Sequence, residues 1–99
     1  MQGSDRLDQL RERGRMHWLD EAQAWRAEPD EVVGALAAQG FEEYKRETAR
    51  SPRGGRVTGG VWQGLDPRTG AVASTVWFHN PATTPTVYVT IDGRPLSAG

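Results

Sequence analysis

Along the chain, hydrophobic and polar positions follow two different periods. From Asp5 to Glu28 the apolar or small residues Leu7, Leu10, Gly14, Trp18, Ala22 and Trp25 recur at intervals of three and four, which is the spacing of one face of an α-helix. Arg6, Arg11, Glu12, Arg13, Arg15, Glu21 and Arg26 fill the positions between them, as a solvated face requires. A helix of that extent would be roughly 36 Å long. That exceeds the width of a small domain, so this helix is expected to overhang and meet a partner.

Pro29 ends the first helix and opens a second through Asp30 to Gln39, with Asp30 and Glu31 at the positive end of its dipole. Gly40 supplies the left-handed residue that closes it. A third helix, Phe41 to Arg50, is expected to turn Phe41, Tyr44 and Thr48 inward until Ser51-Pro52 stops it. Arg50 to Arg56 has Gly, Pro and charge without periodicity and reads as a mobile connection.

Beyond it the period is two. Val57, Gly59 and Val61 alternate with Thr58, Gly60 and Trp62; Val72, Ser74, Val76 and Phe78 with Ala73, Thr75, Trp77 and His79; Val87, Val89 and Ile91 with Tyr88 and Thr90. Asp66-Pro67-Arg68-Thr69-Gly70 and Asn80 to Pro85 join these strands, and Asp92-Gly93 is a further turn before Arg94-Pro95-Leu96, a short edge strand. The expected fold is α+β: one long and two short N-terminal helices packed on a three- to four-stranded antiparallel β-meander. It forms a single domain, with the helical part over 5–50, the connection over 50–56 and the meander over 57–96.

A length of 99 residues allows one hydrophobic core, and 36% hydrophobic residues is lean enough that a dimer partner would help complete it. Charge is uneven. Met1 to Tyr44 carries five arginines against ten acidic residues, and Lys45 to Gly99 carries seven basic against three acidic residues. The absence of cysteine excludes disulfides, thiolate metal sites and a cysteine nucleophile. The first residues run into a charged segment with no apolar stretch, so a cytoplasmic location and no membrane contact are expected.

Candidate chemistry is sparse. His17 and His79 are the only histidines and have no ligand spacing, so neither a metal nor a cofactor is expected. A small enzyme or enzyme accessory subunit with a site near His79 would draw on Ser74 and Asp92, but no spacing selects them. Ala35 to Arg50, followed by a hairpin, has the outline of a winged-helix DNA-binding regulator. Lys45, Arg46, Arg50, Arg53 and Arg56 are then the candidate nucleic-acid contacts. Against that reading, Glu42 and Glu43 would open the recognition helix toward phosphates. Trp62-Gln63-Gly64 carries a W-x-G signature known from small secreted helical hairpins, yet here it lies inside a period-two segment.

The aromatic residues of the meander carry the preferred reading. With the aliphatic positions turned toward the helices, Trp62, Trp77 and Tyr88 share the opposite, uncovered face. A bulge at Gly59-Gly60 would instead turn Trp62 inward. The expectation is a non-enzymatic protein-interaction module, a homodimer or the binder of another protein, using Trp62, Trp77 and Tyr88 as its interface.

Overall fold

The computed structural model describes residues 5–80 and 83–98. In chain order the elements are α1 (Asp5–Glu12), β1 (Met16–Leu19), β2 (Ala24–Ala27), α2 (Pro29–Ala38), β3 (Glu42–Arg50), β4 (Val57–Leu65), β5 (Val72–Asn80), β6 (Thr83–Ile91) and β7 (Arg94–Pro95). The strands form one antiparallel sheet in the order β1-β2-β6-β5-β4-β3, with β7 pairing β6. Among the described residues, the expected three helices on a three- to four-stranded meander are therefore corrected to two short helices on a seven-stranded sheet.

The long first helix is corrected at Gly14. Its φ is +74°; the Gly14 amide donates to Arg11 O and the Arg15 amide to Leu10 O at 2.8 Å. This pair of bonds is a Schellman stop, which needs a left-handed residue. The chain then turns back as a hairpin. Asp20 to Gln23 form its tip, where the Gln23 side chain donates to Asp20 O at 2.7 Å. Trp18 and Trp25 become cross-strand partners, with ring centroids 5.1 Å apart in edge contact. A spacing of seven residues places two tryptophans on one helical face, and a hairpin with a four-residue tip makes the same two neighbours.

Helix α2 begins with Pro29 in its first turn and Asp30 and Glu31 close behind. It ends by the same device as α1: Gly40 at φ +117°, with Gly40 donating to Ala37 O and Phe41 to Leu36 O. Leu36 and Phe41 both enter the core beside this stop.

The expected third helix is strand β3. All nine of its residues are exposed, and it pairs with β4 along its length through two register shifts. Glu, Lys, Arg and Ala favour a helix locally, but the ladder to β4 outweighs a preference of a few tenths of a kcal/mol per residue. The charged outer edge and the bulges suit a strand that must not recruit another chain.

Both helices lie on one face of the sheet. The core beneath them holds Leu7, Met16, Trp25, Val32, Leu36, Phe41, Trp62, Trp77, Val87 and Val89. The face assignment made from the aliphatic positions is thus inverted in β4 and β5. Trp62 (1% exposed) and Trp77 (7%) point under the helices, while Val61, Val76 and Phe78 point away from them. The reason is volume. An ideal Cβ at Gly60 would collide with the Trp77 indole, and one at Gly64 with the Trp62 indole. The glycines of Gly60-Val61-Trp62-Gln63-Gly64 open room on the helix side for two rings that no aliphatic pattern registers.

Candidate interaction surface

On the side away from the helices the ladder sets neighbouring side chains in rows. One row runs Arg26, Thr86, Phe78, Gly59, Ala49; the next runs Tyr88, Val76, Val61, Glu47; a third runs Thr90, Ser74, Gln63, Lys45. No described element packs on this face. Phe78 is 54% and Tyr88 37% exposed, and their rings meet edge to face at 6.0 Å. Val61, Val72 and Val76 remain half-buried and Leu65 exposed. The charged side chains of these rows stand at the margins: Arg26 on β2 and, across the sheet, Lys45 and Glu47 on β3. An apolar centre inside a polar rim is the usual anatomy of a protein contact patch. Beside Phe78 the face has a notch of about 330 Å³ lined by Glu47, Ala49, Gly59, Val61, Val76 and Phe78.

Of the three residues expected to form the interface, Tyr88 lies on this open face. Trp62 and Trp77 do not join it. Each is fixed in the core, Trp62 with its indole N–H donated to Glu43 Oε1 at 2.8 Å. Phe78, Val61 and Val76, which the sequence reading turned inward, take their places. The glycine spacing around Trp62 was the signal that would have found this.

The basic residues fall on β3 and the loop after it, not on a helix, so the helix-turn-helix geometry of the DNA-binding alternative is not formed. Lys45 and Arg46 take part in opposite faces of the sheet. Arg46 pairs with Glu43 (2.9 Å), Lys45 with Glu47 (3.8 Å), and Arg50 donates to Gly55 O at 2.9 Å. Arg53 and Arg56 are exposed in the loop. His79 is exposed toward the end of β5, while Asp92 is engaged elsewhere, accepting the Val72 amide at 2.9 Å. Asp92 and His79 therefore stand at opposite ends of β5 and do not come together.

Three carboxylates are held below their ordinary range. Glu43 is lowered by hydrogen bonds from Arg46 and then Trp62, Asp66 by the side chain and amide of Arg68, and Glu31 by Arg15. Each belongs to a local brace. Arg68, for example, also reaches the Gln39 carbonyl at the end of α2 (3.2 Å) and so ties the β4–β5 turn to that helix.

A wide polar trough of about 640 Å³ runs between α1 and the β1–β2 hairpin. Arg11 lies 5.2 Å over the Trp25 ring there, so the indole already has its cation. Among the described residues no cluster of His, Asp and Glu could hold a metal ion, and no helix is long and apolar enough to cross a membrane. Comparison with protein-family models, curated proteins and solved structures finds no match to this chain.

Proposed function

We propose that the chain is a non-enzymatic interaction module that binds protein through the open face of its sheet. The observation that carries this is the edge-to-face pair Phe78–Tyr88, set with Val61 and Val76 on a face that no helix covers. Aromatic side chains bury about 150–250 Å² each, and such residues dominate the energetics of protein contacts. The face also has the right extent. Four strands of nine residues, β3 to β6, give a plan area of about 600 Å² at standard strand spacing. Side-chain relief brings that toward the roughly 800 Å² that each partner gives to a standard interface.

The test is a photo-reactive benzoyl-phenylalanine at position 78 of the full chain, produced in its native cells, beside the same probe at Gly34. Gly34 is exposed on α2, with open space where a side chain would stand. Protein adducts are expected from position 78 and not from 34. No adduct from 78, or equal labelling from both, overturns the reading.

A further inference from the structure

The open face is self-complementary, and we propose that its occupant is a second copy of this chain, packed sheet on sheet about a two-fold axis that runs along β5. This inference rests on the reading of the open face as a contact surface and names its partner.

β5 is the middle of the five strands β2-β6-β5-β4-β3. An in-plane two-fold along it lays β6 of one copy over β4 of the other, and β2 over β3, while preserving height along the strands. Three features then meet. Tyr88 on β6 lies in the row of Val61 on β4, so it comes down on Val61 of the second copy, beside the notch that Val61 helps to line. Protrusion and notch stand on opposite sides of the axis strand, one strand out on each side, as an isologous contact requires. Phe78, on the axis strand itself, meets its own counterpart, and an aromatic residue so placed is the kind that carries much of an interface's binding energy.

The margins agree in charge. Arg26, two strands from the axis, lies over Ala49 of the second copy, one row from Glu47. One row is two residues, about 7 Å, within the reach of an arginine. Glu47 is the more exposed member of its pair with Lys45, with 68% of its side chain accessible. Sheets packed face to face lie about 10 Å apart, and the centre of Val61, Ser74, Val76, Thr86 and Thr90 contains no charge to be stranded. The alternative self-contact, β3 edge to β3 edge, would set Arg46 against Arg46 and must pass two bulges.

The experiment uses the full chain. Sedimentation equilibrium over a concentration series compares wild type with Phe78→Ser and Tyr88→Ala. Ser74→Cys and Ala37→Cys variants, each then carrying the chain's sole cysteine, are treated with a short bismaleimide. Expected are a reversible dimer, weakened at least about tenfold in each aromatic variant with unchanged far-UV circular dichroism. A covalent dimer should form from Ser74→Cys, on the axis, and not from Ala37→Cys, on α2. A wild-type chain that stays monomeric throughout the series overturns the second copy. If the probe at position 78 then still captures a different protein, the open-face reading stands without it; if it captures nothing, both fall. A dimer indifferent to both aromatic changes, or cross-linked equally through position 37, overturns the proposal by placing the contact elsewhere. Should Phe78→Ser unfold, Tyr88→Ala and the cross-link decide.

Discussion

The indole of Trp77 occupies the space that a Cβ on its cross-strand partner Gly60 would need. A ring on β5 and a missing side chain on β4 are thus one packing unit, with Val87 and Trp25 continuing the row across the sheet.

Gly60→Ala is expected to cost about 3 kcal/mol, because the added methyl meets the indole and, at 2.8 Å, the Glu47 carbonyl oxygen. Trp77→Ser should cost more, since it empties a core site. Phe78→Ser, one residue on but on the open face, should leave the monomer's unfolding free energy, measured in urea, within about 1 kcal/mol of wild type. Equal losses for Trp77→Ser and Phe78→Ser would contradict the face assignment.

Gly14 gives a test of the first helix. In a continuous helix, Gly14→Ala would stabilise by up to about 1 kcal/mol. With Gly14 at φ +74°, the same change should destabilise by roughly 1 kcal/mol, because an alanine is strained in the left-handed region. The sign of the shift in melting temperature separates the two.

Thr75 lies at the centre of the core between Trp62 and Val89, and its hydroxyl has no hydrogen-bond partner. Thr75→Val keeps the shape and removes a buried polar atom, so stability should rise by about 1 kcal/mol. Loss of stability in chemical denaturation would mean that the hydroxyl is satisfied in solution.

Acid should weaken the fold. Glu31, Glu43 and Asp66 have pKa values lowered by their arginine partners, and in Glu43 by Trp62 as well. A carboxylate whose folded pKa is depressed contributes its full stabilisation above its unfolded value, about 4. It loses that contribution as pH falls through the folded value. Stability is therefore expected to decline as pH drops from about 5 toward 2, with a shallower slope in Glu43→Gln and Asp66→Asn. Unchanged slopes would show that these pairs do not differ between folded and unfolded chains.

Part of the fold was readable along the chain. Alternation located β4, β5 and β6, because a strand shows its two faces at every second residue; Pro29 and Gly40 bounded α2, because each constrains φ locally. Three matters were settled only by tertiary structure. Residues 7 to 25 satisfy helical and hairpin spacing equally, and the choice falls to a sheet edge on β6 able to pair with β2. Residues 42 to 50 favour a helix by propensity and become β3 because a neighbouring strand supplies hydrogen bonds along their length. In β4 and β5 both faces carry apolar residues, so hydropathy alone does not say which is inside. The inner face is the one where glycines leave volume for indoles, and volume is a property of the packed sheet that no single strand contains.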